Sequence, residues 1–98
     1  MNMQQMIIQA QKMQREMQKK QAELEQKEFT ISKGGAVIVV VKGDKTISSI
    51  SIDKDALDPE NKEMIEELIA LAINEAVEQI KAEEAKISSQ VTGGAGLF

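Results

Sequence analysis

Along the first twenty-six residues an apolar side chain recurs every third or fourth position: Met3, Met6, Ala10, Met13, Met17 and Leu24, with Lys20 in the one slot that breaks the series. This spacing makes a narrow seam of about 3.5-residue period, the kind of stripe by which one helix packs along another. Strong helix formers fill the other positions from Asn2 to about Gln26, with no Gly or Pro among them. About 25 residues at 1.5 Å each give a rod of roughly 37 Å, longer than a small sheet can cover. Part of this helix therefore projects from its domain.

The pattern then changes period. Phe29 and Ile31 alternate with polar neighbours, Ala36 to Val41 is a continuous apolar run, and Ile50 and Ile52 alternate with serines. Gly34-Gly35 and Gly43-Asp44 supply turns between these stretches. Three antiparallel strands are expected at about 28–33, 36–42 and 46–53. The central strand is apolar on both faces, Val37, Val39 and Val41 on one and Ala36, Ile38 and Val40 on the other. A half-solvated sheet would alternate; this one calls for cover on both sides. Two helices cover one side, and a second copy of the chain is expected on the other. The expected dimer contact uses Val37, Val39, Val41, Ile50 and Ile52, or the opposite sheet face; the pattern leaves both open.

A second helix opens at Asp58-Pro59-Glu60, where a capping acceptor, a proline for the first turn and an acid near the positive dipole end stand together. Its stripe runs Ile65, Leu68, Ile69, Ala72, Ala76, Ile80 and Ile87, and from Leu68 to Ile73 it is apolar nearly all round. Asn74, just beyond, reads as a buried amide bonded to backbone or fixing register. Beyond Ile80 the helix turns to Lys, Glu and Ala and overshoots the sheet. Ser88-Ser89 weakens it, and the glycines at 93, 94 and 96 point to a flexible tail. The expected architecture is α+β: a three-stranded antiparallel meander flanked by long N- and C-terminal helices (α-β-β-β-α), with projecting helical arms, as a homodimer. One domain spans 1–92, with a flexible tail over 93–98.

Composition narrows the chemistry. The 98 residues include no Cys, His, Trp or Tyr, which removes thiol nucleophiles, disulfides, His-based triads and the common zinc sites. No apolar run approaches the ~20 residues needed to span a bilayer, and no basic-then-apolar leader opens the chain. A reducing, cytoplasmic setting is expected, with no membrane, cofactor, metal or small-molecule substrate. Glu66-Glu67 and Glu83-Glu84 read as solvated helix faces, because nothing enforces the burial or proximity that splits two carboxylate pKa values. Gly34-Gly35 leads into a strand rather than a helix, so it is no phosphate loop. The chain is not read as an enzyme.

Charge is uneven. The net charge of −4 divides into +2 over residues 1–33, −1 over 34–58 and −5 over 59–98. Helical spacing puts Lys12, Arg15 and Lys19 on one face with Lys20 close by, and Lys12 is within pairing reach of Glu16. Four cations on a projecting rod suit the phosphates of duplex DNA, whose binding releases counterions and weakens steeply with salt. Phe29 and Phe98 are the only aromatics, which disfavours stacking on single-stranded bases. No recognition-helix pattern argues for base reading, so backbone contact is expected. The alternative is a scaffold or interaction module whose Met-rich seam docks a partner helix without DNA.

Several short motifs, in order, carry a resemblance. Gln9-Ala10-Gln11-Lys12-Met13-Gln14 with Met17 and Leu24, Gly35 leading into a valine strand that ends at Gly43, Ile52-Asp53 with Leu57, Asn74-Glu75-Ala76, and Thr92-Gly93-Gly94 together resemble the YbaB/EbfC family of bacterial nucleoid-associated proteins. The resemblance implies a homodimer with helical arms around a central sheet, duplex DNA binding with little sequence preference, and a part in nucleoid organisation or gene expression. The tail Gly96-Leu97-Phe98 lacks the proline that many members carry, and the second helix is strongly acidic. The DNA-binding role is accordingly carried only onto the first helix.

Overall fold

Asn2 caps the first helix: its side-chain oxygen accepts from the Gln5 amide at 2.7 Å, satisfying one of the donors a helix start leaves open. The computed structural model describes the backbone of residues 2–95 and the side chains of residues 2–89. Its elements are α1 (Met3–Gln26), β1 (Glu28–Lys33), β2 (Val37–Lys42), β3 (Ile47–Ile52) and α2 (Lys62–Ala95), with single 3-10 turns at Lys54–Ala56 and Pro59–Asn61 before α2. This is the expected α-β-β-β-α order. Asp58 accepts from the Glu60 amide at 2.9 Å, and Pro59 opens a 3-10 turn that runs straight into α2. The helical backbone of α2 continues through Gly93 and Gly94 to Ala95; of the tail expected over 93–98, Gly96, Leu97 and Phe98 lie outside the described residues.

The three strands form one antiparallel sheet in the order β1-β2-β3. Gly34 and Gly35 both take positive φ, 61° and 65°, and the Ala36 amide closes the turn on the Lys33 carbonyl at 3.1 Å, the geometry whose twist suits a tight hairpin. The second turn uses Lys45 at φ 70°; its amide donates to Lys42 O at 2.8 Å, and Asp44 accepts from the Thr46 amide at 2.9 Å. Just beyond it the pairing of β2 with β3 shifts: Val40 faces Ser49, but Val41 faces Ile47. Ser48 is thus an extra residue, a β-bulge. It turns Ile47 onto the same face as Ile50 and Ile52, which strict alternation forbids.

α2 packs across β1 and β2. Between them Phe29, Ile31, Val37, Val39 and Val41 from the sheet meet Ile65, Ala72, Ala76 and Ile80 from the helix, and Leu24 and Ile87 extend this core to where α1 joins it. Ala72 and Ala76, both fully buried, let the helix axis come close to the strands. Val37, Val39 and Val41 are closed off inside a single protomer, at 0, 0 and 1% exposure, beneath α2. Of the five residues expected at a dimer contact, Ile50 remains 45% exposed and Ile52 is half-buried against the core. The reverse face carries Ile38, 44% exposed, and Val40 among serines and threonine. Asn74 is exposed rather than buried, since α2 is covered on one side only.

α1 runs antiparallel to α2, with Lys27 against Glu83 and Leu24 beside Ile87. The molecule measures 69 × 22 × 14 Å, with a radius of gyration of 19.6 Å, against about 13 Å for a compact domain of this length. The elongation is the two-helix arm.

Candidate nucleic-acid interface

The arm has two opposite faces. On a helix with 100° between residues, Met13, Met17 and Leu24 fall on one side and Lys12, Arg15 and Lys19 on the other. Met17 and Leu24 pack into the core, which turns the cations outward. Ile8, Lys12, Arg15, Glu16 and Lys19 line one shallow groove along the outer face, and Gln11, Gln14 and Gln18 flank Arg15. From Lys12 to Lys19 the row covers about 10 Å, or about three phosphate steps along one DNA strand at 3.4 Å each. Lys12, Arg15 and Lys19 are exposed.

Lys20 is not part of this row. It is half-buried and lines the cleft between the two helices, with Glu23, Leu24, Lys27, Glu83 and Ile87. Sequence spacing placed it beside Lys19; the direction of α2 places it on the flank of the packing seam. Glu16 shares the outer groove within helical reach of Lys12 without pairing with it: among the described residues no carboxylate lies within 4.0 Å of Lys12, Arg15 or Lys19.

Elsewhere the acids of α2 neutralise lysines of the sheet and turns. Lys27 meets Glu83 at 2.6 Å, Lys33 meets Glu75 at 3.2 Å and Lys45 meets Glu84 at 3.4 Å; within α2, Lys62 meets Glu66 at 3.1 Å. The Lys27 hydrogen bond, with the same charge, holds the Glu83 carboxyl below its ordinary pKa against the opposing cost of desolvation. Asp44 is likewise lowered by its hydrogen bonds from Thr46. These pairings bear on how a chain of net charge −4 offers a cationic surface: Lys27, Lys33, Lys45 and Lys62 are matched by acids of α2, and the arm row is not. Sequence reading missed the pairs because their partners lie 39 to 56 residues apart.

Among the described residues no group of three or more acids is arranged to hold a metal, and no helix is long and apolar enough to cross a membrane. Gln21, Leu24, Glu25, Gly43, Asp44, Lys45 and Glu84 line a hollow of about 340 Å³ at the base of the arm; its lysine is already paired with Glu84.

A nucleoid-associated protein of Clostridium novyi is 46% identical over 98 residues, covering 99% of this chain and 86% of that relative. One from Mycoplasmopsis pulmonis is 42% identical over 94 residues, covering 96% and 93%, and one from Alkaliphilus metalliredigens is 44% identical over 101 aligned positions, covering 99% and 89%. The model of the YbaB/EbfC DNA-binding family matches residues 1–95. That family is defined by binding rather than catalysis, and with both helices and all three strands inside the match the chain belongs to the YbaB/EbfC DNA-binding family.

Proposed function

We propose that the protein grips duplex DNA by its phosphate backbone, with little sequence preference, as a homodimer whose two arms each present Lys12, Arg15 and Lys19. The observation that carries this reading is the row of three unpaired cations on the outer face of the arm, opposite its packing seam. Lys20 contributes less, from the cleft. Three point charges on a helix surface position a backbone and read no base edges. The protein acts in the cytoplasm, at the nucleoid, and affects nucleoid organisation and gene expression through the occupancy of DNA. Relatives named nucleoid-associated proteins support that setting.

The second copy covers the edge of the sheet that α2 leaves open. Ile47 and Ile50 are 44% and 45% exposed on the helix-covered face, brought together by the bulge at Ser48. With Ile52 they form an apolar strip that a two-fold partner would bury.

Gel retardation on unrelated duplexes across a salt series tests the reading. Neutralising three phosphates per arm gives a log-log salt slope of about −2.7 for one arm and about −5 for two. Changing Lys12, Arg15 and Lys19 together to Gln should abolish retention at 150 mM salt with the circular dichroism unchanged. Retention that survives the triple change, or that is flat with salt, overturns it.

A further inference from the structure

The cationic row stops at Lys12, and the ten residues before it carry no charged side chain: Asn2 to Gln11 contains only Asn, Met, Gln, Ile and Ala. This tip is apolar and open. Met3 is 77% exposed, Met6 57% and Ile7 52%. Met3, Met6 and Ala10 continue the seam whose later members, Met17 and Leu24, pack into the core, and Ile7 flanks them. The tip is the same helix-packing stripe, without a helix on it.

α2 does not reach that far. Lys27 stands opposite Glu83, and in antiparallel helices each step back along α1 matches one step forward along α2. At that register Ala95, where the described part of α2 ends, stands at about the level of Arg15, so among the described residues none of α2 covers positions 3–10.

We infer that the tip of α1 docks against the same tip of a second copy, antiparallel and seam to seam. The spacing of the stripe selects a helix with a matching three-and-four repeat, and the tip itself supplies one. A two-fold axis beside Met6 sets Met3 of each copy against Ala10 of the other. Lack of charge means that two copies meet without repulsion, whereas a nucleic acid or a charged peptide finds nothing there to pair with. Ten residues a side bury far less than the ~1,200 Å² of a stable interface, so the contact forms where copies are already concentrated, as on one duplex. It thereby makes binding cooperative along DNA. The inference uses the DNA reading only for that concentrating effect.

The absence of cysteine makes the test clean. Met6→Cys and, about 160° round the helix, Gln4→Cys are introduced singly into the full chain and treated with a short bis-maleimide on a duplex long enough for several copies. Met6→Cys is expected to give the covalent two-chain product at least tenfold faster than Gln4→Cys, and added Ile7→Gln should remove that advantage. Equal rates for the two cysteines overturn the inference. In parallel, Met3→Gln with Ile7→Gln should flatten the cooperative rise of retention on the long duplex and leave affinity for a single-site duplex unchanged. Loss of single-site affinity overturns the inference in favour of DNA contact by the tip. Duplex retention in the same samples reports the DNA reading separately. Should no variant retain duplex, the cross-link is read at millimolar protein without DNA, where a Met6 advantage supports the contact and its absence overturns it.

Discussion

Gly43 lies so close to the end of α1 that a Cβ on it would overlap the carbonyl oxygen of Leu24. Its own amide donates to Lys27 O at 2.9 Å, so backbone contacts pin the β2–β3 turn against the base of the arm, beside the Lys45–Glu84 ion pair. Gly43→Ala forces α1 away from the turn, and a cost of about 3 kcal/mol is expected, near the top of the usual overpacking range. Gly35 is the contrast: nothing lies within 4 Å of an added Cβ, but its φ is +65°, so Gly35→Ala should cost only about 1 kcal/mol of backbone strain. Urea titration of both variants checks the order; equal costs would mean that the arm base is not packed as described.

Ile80 is fully buried between α2 and the sheet, whereas Leu71, nine residues earlier, is 49% exposed. Ile80→Ala leaves a cavity in the middle of the core and should destabilise by about 2–5 kcal/mol. Leu71→Ala, on the open side of the helix, should change stability by about 0.5 kcal/mol or less. Chemical denaturation at low protein concentration, where self-association is dispersed, reads both.

The Glu83 carboxyl is held below its ordinary pKa of 4.5 by the hydrogen bond from Lys27. The folded state therefore binds this proton less readily than the unfolded chain. The pair's contribution is complete above about pH 4.5 and is lost as pH falls through the lower folded value. With side chains 51% and 34% exposed, solvent screening keeps the contribution small. Glu83→Gln should melt slightly below the parent at pH 7 and with it at pH 3. A gap that persists at pH 3 would assign the effect to packing instead.

Much of this architecture was legible because its signals are local. The Met seam from Met3 to Leu24, the diglycine turn at 34–35 and the Asp58-Pro59 start each depend on a few neighbouring residues, and β1 spans the residues expected of it. What the pattern could not supply was direction. The stretch from Leu68 to Ile73, apolar nearly all round, reads as contact on more than one side; within one protomer α2 has the sheet on one side, and Leu71 and Asn74 face out. No glycine or proline marks the bulge at Ser48, and strict alternation would put Ile47 on the face opposite Ile50 and Ile52. The two faces of the central strand were visible, but not which one α2 would take.

Lys19 and Lys20 are neighbours in sequence and part company in space, Lys19 in the outer groove and Lys20 in the helix cleft. Lys19→Gln should weaken retention of duplex uniformly across sequences and reduce the salt slope by about 1 per arm. Lys20→Gln should change the slope by less than half as much. Filter-binding titrations at several salt concentrations distinguish them, and identical slopes would place Lys20 in the DNA-facing row.

Ile50 lies on the helix-covered face of the sheet but at the edge α2 does not reach, with Ile47 beside it through the bulge. Burying both against a second copy is favoured by about 25 cal/mol per Å² of apolar surface removed from water, whereas a carboxylate there must be desolvated without a partner. Ile50→Glu should therefore give a folded monomer, because the exposed edge of one protomer tolerates the charge that an interface does not. Ile38→Glu, on the reverse face among Thr30, Ser32, Ser49 and Ser51, should leave association unchanged. Sedimentation velocity at micromolar concentration decides between the faces: if Ile38→Glu dissociates the protein and Ile50→Glu does not, the dimer is built on the outer side of the sheet. Loss of one arm should also halve the salt slope of the Ile50→Glu monomer to about −2.7, tying the oligomeric state to the DNA contact in one series of measurements.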